Sequence, residues 1–535
     1  METNSPLSIA KLMLPKMPMI GKTLVSHTLG ISPHSTHWDL KTELTVNILR
    51  SFLYATPSPI SKIQAVTLHD SGIKGRIWIS KVTLAIPPED DVRQKLFKVI
   101  EDMKVPLSSG QSPQEGGFQK PDLLPVEGEW TGHRGYAPKN APRLRISEAE
   151  QYVEMMKEVT SPVTILYIHG GAHWLLDPAS YRGPCKKLAK LTGGRVLSLR
   201  YRLAPQNPFP AALLDCLVAY LHLLYPPENS FHTAVLAENI ILSGDSAGGN
   251  LSLSLLLLLL HLHKTSTPII WNGVSRLVPL PAGLALNSPW TDLLRSSPSM
   301  ETNSKYDYIP PPSFFSPSHS IPYPRCKLWP TPSPRSNIYC EDAMLIHPLV
   351  SPLAAPASAW EGSPPILFMV GTELLSDENK ILARRLVRRG VRVRWEEYEW
   401  MPHCFALALP HLKGTRRCFE GWAGFCKEVG GRRVDEEGGK ERRDGGIETR
   451  GVMISGNAKG VKERRDGGIE TRGVIISGNA KGVKETRIEV EGLWEESDEV
   501  VSERMKAQAR ILEEGGKVKV ENGSVNDGGT NRARL

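Results

Sequence analysis

The sequence predicts an α/β fold, a mostly parallel sheet with helices on both faces. Three observations carry that reading. Between residues 160 and 428, short apolar runs alternate with helical stretches of about 10 to 15 residues. The first of these runs is rich in β-branched residues and stops at glycines, as buried strands do. One segment, LSLSLLLLLL at 251–260, is apolar on every side, which suits a helix packed inside such a sandwich.

In chain order, VTILYIH (163–169) reads as a strand and GRVLSLRYRL (194–203) as the next. FPAALLDCLVAYLHLL (209–224) reads as a helix. NIILSGD (239–245) is a strand that runs straight into the leucine-rich helix. AGLALNSPW (282–290), PILFMVGT (365–372) and VRVRWEEYEW (391–400) are three further strands. The amphipathic helix SDENKILARRLVRRG (376–390) separates the last two.

Three regions follow from this. Residues 1–155 form an N-terminal part with helical stretches such as WDLKTELTVNILRSFL (38–53), a strand-like run GRIWISKVTLAI (75–86) and a Gly/Pro/Ser-rich loop at 105–122. Residues 156–430 form the α/β core, broken at 296–340 by an excursion holding ten prolines, too irregular to belong to the sheet. Residues 431–535 are highly charged and poor in aromatics, and are expected to be a disordered tail. Within that tail, 440–461 and 462–483 are consecutive copies of one 22-residue segment, differing only at Met453 and Ile475. Two copies fall short of the three or so that a repeat array needs to bury a core, so no part in the chemistry is expected of them.

Composition narrows the function. The net charge is +8, but the tail carries 21 basic and 21 acidic residues, so the excess is dispersed over residues 1–430. That distribution is a solvated surface, and no nucleic-acid partner is expected. The seven cysteines are an odd number without a C-x-x-C pair, against a disulfide framework or a zinc site and in keeping with a reducing compartment. The first 30 residues do not read as a signal peptide, and 251–260 is too short to span a bilayer. A cytoplasmic protein without a transmembrane segment is expected. Peripheral membrane contact through the amphipathic N-terminal segment stays open.

The chemistry centres on GDSAGGN (244–250), where Ser246 is set between glycines at a strand-to-helix junction. A G-x-S-x-G pattern in that context is a nucleophile elbow: tiny neighbours let strand and helix approach, and the turn lifts the hydroxyl above the sheet. Upstream, HGGAHW begins at His169, at the end of the VTILYI strand. A tetrahedral oxyanion needs preorganised N–H donors, and the backbones of Gly170, Gly171 and Ala172, with Ala247 after the nucleophile, can supply them. His403, in MPHCFAL just past the last strand, is the candidate general base. TELLSDE after PILFMVG offers Glu373, Asp377 and Glu378 as the acid that orients it. Glu373 is nearest the strand end. His169 and Asp245 are assigned to loop geometry. Trp174 and Phe405 are as well suited to core packing as to substrate contact.

HGGAH, YRLAPQNPFPAALLD, GDSAGGN, NSPWTDL, GTELLSDE and MPHCF, in that order, resemble the hormone-sensitive lipase family of α/β-hydrolases over residues 160–425. The N-terminal region and the excursion are most similar to fungal members. The resemblance implies an α/β-hydrolase fold with an N-terminal cap, and a triad of Ser246, Glu373 and His403. Glu373 stands where most of the family has aspartate, which keeps Asp377 as the alternative acid. The implied activity is hydrolysis of a small-molecule carboxylic ester through an acyl-enzyme, with no metal and no organic cofactor. Amide or formamide cleavage on the same triad is the nearest alternative. A non-catalytic small-molecule receptor, like the gibberellin receptors that resemble this family without its histidine, is the remote one.

Overall fold

In the computed structural model, each central strand divides its side chains between two cores. The structure describes residues 11, 13–104, 117–314, 323–332, 335–431, 471–479 and 482–523. The strands are β1 (Ile77–Leu84), β2 (Val126–His133), β3 (Thr164–Ile168), β4 (Arg195–Arg200), β5 (Ile240–Asp245), β6 (Ile269–Trp271), β7 (Val274–Arg276), β8 (Gly283–Asn287), β9 (Ile366–Gly371), β10 (Val393–Tyr398), β11 (Arg472–Asn479) and β12 (Gly482–Ile488). Leu166, Ile168, Leu242, Leu284, Leu286 and Phe368 enter one core. Their neighbours Ile165, Tyr167, Ile241, Ala285, Leu367 and Met369 enter the other. Alternate residues face opposite sides of a strand, so runs that are apolar at every position need both faces covered.

β6 and β7 pair as a separate hairpin, and the other ten strands form one sheet in the order β1-β2-β4-β3-β5-β8-β9-β10-β11-β12. From β4 to β11 neighbouring strands are parallel. β1, β2 and β12 pair antiparallel at the two edges. The six strands read between 163 and 400 are β3, β4, β5, β8, β9 and β10. On one face lie the helices Ala211–Leu224, buried along its whole length, and Ala247–Lys264, whose leucines 251, 253 and 255–260 are all buried. On the other lie Pro178–Thr192 and Lys413–Val429, each burying one stripe.

Within the tail, the described residues 471–479 and 482–523 add strands to the sheet and a helix to one core. The second repeat copy supplies β11, parallel to β10 with Arg394 opposite Arg472 and Tyr398 opposite Ile476. β12 then folds back antiparallel. Val474 and Ile476 pack with one core, and Ile488 and Val490 with the other. Val501, Met505 and Ala509, four apart on the helix Asp498–Gly523, bury with the latter core. Arg384 and Arg385 hold Asp498 at 2.8 Å each. These few apolar residues bury surface against an existing core rather than building their own. The first repeat copy, the start of the second, and most of the 105–122 loop lie outside the described residues.

The described parts of the excursion contribute no strand to the sheet, only short helical turns such as Ser299–Thr302. The N-terminal segment holds the helices Met17–Thr28, Leu40–Leu53 and Ile60–Thr67, and three of its side chains reach loops at the strand ends. Trp38 Nε1 donates to Trp400 O (2.6 Å), Arg50 Nε to Asp307 O (2.7 Å), and Gln64 Nε2 to Trp174 O (2.8 Å). Among the described residues no helix is long and apolar enough to cross a membrane.

Candidate active site

Ser246 links β5 to the helix Ala247–Lys264 with φ 51° and ψ −122°, a left-handed backbone that a non-glycine residue adopts only under constraint. The constraint is close packing. A Cβ on Gly244 would come within 2.6 Å of Ile168 O, one on Gly248 within 2.6 Å of His169 O, and one on Gly249 within 2.7 Å of Pro289 Cβ. Ser246 N donates to Asn287 O (3.1 Å), and Ser246 O accepts from Trp290 N (3.0 Å). The serine keeps partial exposure between fully buried neighbours.

Asp245 straps the elbow to the upstream loop. Its Oδ1 accepts from Tyr167 Oη (2.8 Å) and Gly170 N (3.1 Å), and its Oδ2 accepts from Tyr181 Oη (3.0 Å). Burial pushes its pKa up, against those hydrogen bonds, which favour the charged form. Gly170, one of four proposed oxyanion donors, therefore has its N–H committed to a carboxylate. A Cβ there would collide with that carboxylate, which explains the glycine. No described residue accepts from the N–H groups of Gly171, Ala172 and Ala247.

The loop after Gly170 curls through three left-handed residues, Gly171 (φ 104°), Ala172 (φ 52°) and His173 (φ 67°). Gly171 O accepts from Leu175 N (2.8 Å), and His173 O from Ala204 N (3.0 Å). His173 stacks on Tyr339 at 3.7 Å and meets Asn250 Oδ1 through Nε2 at 3.2 Å. Burial lowers its pKa to about 3, so the ring is neutral and structural. His169 stacks on Tyr201 at 4.3 Å, and burial lowers its pKa to about 4. Both histidines shape the loop. Phe405 is wholly buried against Tyr398 (4.6 Å), whereas Trp174 meets Tyr323 edge-on at 5.5 Å.

His403 arrives on the loop after β10. Its Nδ1 lies 3.3 Å from Glu373 Oε2, in ion-pair range but off-line, so Nδ1 has no well-aimed hydrogen bond. Loose geometry of this kind is common before substrate tightens a site. Its Nε2 lies 3.4 Å from the Cys404 thiol, which in turn reaches Asp245 Oδ2 at 3.9 Å. The imidazole thus has a carboxylate on one edge and, on the other, a thiol that reaches Asp245 of the elbow. Burial alone would lower its pKa; the charges of Glu373, Asp307 and Asp245 outweigh burial and raise it above 6.5. Asp377 goes elsewhere: its Oδ2 accepts from Ser299 N (2.8 Å), and no contact joins it to His403. Glu378 is buried under Thr291 N (2.6 Å) and Asp292 N (3.2 Å).

Three residues hold this arrangement and carry no sequence signal of it. Ser288 Oγ donates to Glu373 Oε2 (2.9 Å) and accepts from Cys404 N (3.1 Å). Asp307, in the excursion, accepts from His403 N (3.3 Å) through Oδ1 and from Leu374 N (2.9 Å) through Oδ2. Cys404 sits at φ 47°, where glycine would be unstrained. Ser288 and Asp307 act across long sequence separation, invisible to local patterning. Among the described residues no group of three or more His, Cys, Asp and Glu is placed to hold a metal.

The family described as the alpha/beta hydrolase fold matches residues 165–407. An acetyl-hydrolase of Streptomyces hygroscopicus is 30% identical over 274 residues, which is 50% of this chain and 76% of that protein. An esterase of Acinetobacter venetianus is 28% identical, covering 48% of this chain and 71% of its own length. A solved esterase from the bacterial hormone-sensitive lipase family is 24% identical with a TM-score of 0.42, covering 64% of this chain and 96% of its own.

Proposed function

The chain belongs to the α/β-hydrolase family, and we propose that within it this protein is a serine hydrolase of carboxylic esters working through an acyl-enzyme. Ser246 attacks the ester carbonyl while His403 takes its proton at Nε2. Glu373 holds the imidazole from the Nδ1 side and stabilises it once charged. The N–H groups of Gly171, Ala172 and Ala247 receive the oxyanion. His403 then protonates the departing alcohol and activates the water that releases the acid. The N-terminal helices act as a cap over the strand ends.

One observation supports the reading: His403 has a buried carboxylate at Nδ1, while the Cys404 thiol next to its Nε2 reaches Asp245, the residue before the strained serine. The relatives named acetyl-hydrolase and esterase support the same substrate class. The test is hydrolysis of p-nitrophenyl acetate and butyrate by the wild type and by Ser246→Ala. Loss of turnover by about 10³-fold or more is expected. Equal rates for the two proteins would overturn the proposal, as would failure of a fluorophosphonate to label Ser246.

A further inference from the structure

Trp290, whose N–H donates to Ser246 O (3.0 Å), begins a turn that ends in an unusual cation. Asp292 accepts from Leu294 N (3.0 Å), Ser296 N (2.8 Å) and Ser296 Oγ (2.7 Å). The turn places Arg295 in the left-handed region, φ 55°. For a long side chain that conformation is strained, and it persists only where the surroundings enforce it.

The Arg295 guanidinium has no hydrogen-bonding partner and no carboxylate within 4.0 Å among the described residues. Its recorded contact is with the face of Trp290, 5.8 Å from the ring centroid. Other buried or partly buried arginines have hydrogen-bonding partners: Arg182 and Arg385 have carboxylates, Arg195 has the hydroxyls of Thr164 and Tyr152, and Arg50 has backbone carbonyls. Arg295 is partly buried, which lowers its pKa, and part of its surface stays accessible. Arginine keeps its charge even so.

Ring contacts join Arg295 to the candidate site. The Trp290 ring lies 5.8 Å from His173 of the oxyanion loop and 5.8 Å from Arg295. Tyr323, near enough to interact with the Arg295 charge, packs on Trp174 of the same loop. Asp292 and Glu378 attract the cation from nearby, but their bonded oxygens are turned to backbone N–H groups. A partly buried guanidinium without a hydrogen-bonding partner is costly, and a carboxylate matches its planar fork.

We propose that Arg295 selects ester substrates bearing a carboxylate, such as half-esters of dicarboxylic acids or esters of hydroxybenzoic acids. This rests on the esterase reading above. A single guanidinium fork fits a monoanion.

The experiment compares kcat/KM for two matched pairs: mono-p-nitrophenyl glutarate against p-nitrophenyl pentanoate, and 4-acetoxybenzoate against phenyl acetate. The first pair places the carboxylate on the acyl side and the second on the alcohol side. The readout is the anionic-to-neutral ratio within each protein, which cancels differences in folded fraction. In at least one pair, Arg295→Leu is expected to lower that ratio roughly tenfold to a hundredfold, with Arg295→Lys between the two. A ratio unmoved by Arg295→Leu in both pairs, with the neutral esters still cleaved by the wild type, overturns the role of Arg295 alone. A wild type that cleaves none of the four esters overturns the esterase reading and this proposal with it.

Discussion

At the scale of single residues, the site sets a pH dependence whose sign is fixed. His403 works as a base only when neutral, and neighbouring carboxylates raise its pKa above 6.5. The acid limb of kcat/KM is therefore expected to have its midpoint above 6.5, activity rising as the imidazole loses its proton. Glu373→Gln removes the largest of the raising charges, so the midpoint should move down while the rate falls by roughly 10²- to 10⁴-fold. Asp377→Asn, remote from His403, should keep the wild-type midpoint. A pH–rate profile for the three proteins checks this, and an Asp377→Asn profile that moves instead of the Glu373→Gln one would reassign the acid. Much of this site was legible because elbow, glycine loop and histidine each adjoin a strand end, a local signal. Ser288 and Asp307 were not, since their roles depend on chain segments 85 and 96 residues apart meeting in space.

At the scale of elements, the leucine-rich helix and the described tail show opposite limits of sequence reading. The helix was legible because an all-apolar segment has one stable environment, the interior. β11 was not, because RGVIISGN takes its order from the open edge of β10 rather than from its own composition. That pairing continues past the strand, with Glu399 N donating to Ile476 O (3.0 Å), four residues before His403. Ile476 is 4% exposed. Ile476→Glu would bury a carboxylate without a partner and should destabilise by about 3 kcal/mol. Because the strand leads directly into the histidine loop, kcat is expected to fall even at temperatures where the variant is folded. Thermal unfolding beside steady-state kinetics separates the two effects. A variant with lowered Tm but wild-type kcat would reduce β11 to a stability element.

At the scale of the whole molecule, the N-terminal helices reach three separate loops of the site. Trp38 holds the Trp400 carbonyl ahead of His403, and Gln64 holds the oxyanion loop at Trp174. Arg50 is the most telling of the three. Its guanidinium donates to the carbonyls of Ser304 (3.2 Å), Lys305 (2.5 Å) and Asp307 (2.7 Å), so one cation gathers a stretch of backbone that has no regular structure beyond a single 3₁₀ turn. The Asp307 carboxylate in turn fixes the N–H groups of His403 and Leu374, the residues at and next to the paired base and acid. A helix in the first tenth of the chain thereby sets the spacing of groups on the loops after β9 and β10. Arg50→Met keeps most of the alkyl stem and removes the donors, and three hydrogen bonds to a charged group at about 1.5–3 kcal/mol each are enough to loosen the segment, even after water replaces part of them. The expected outcome is a kcat lowered roughly tenfold with KM changed less, since the base–acid pair is disturbed and the ester recess is not. Kinetics of Arg50→Met at a temperature well below its unfolding midpoint provide the check. A KM that rises alone would instead make the N-terminal helices part of the substrate recess, with no hold on the catalytic pair.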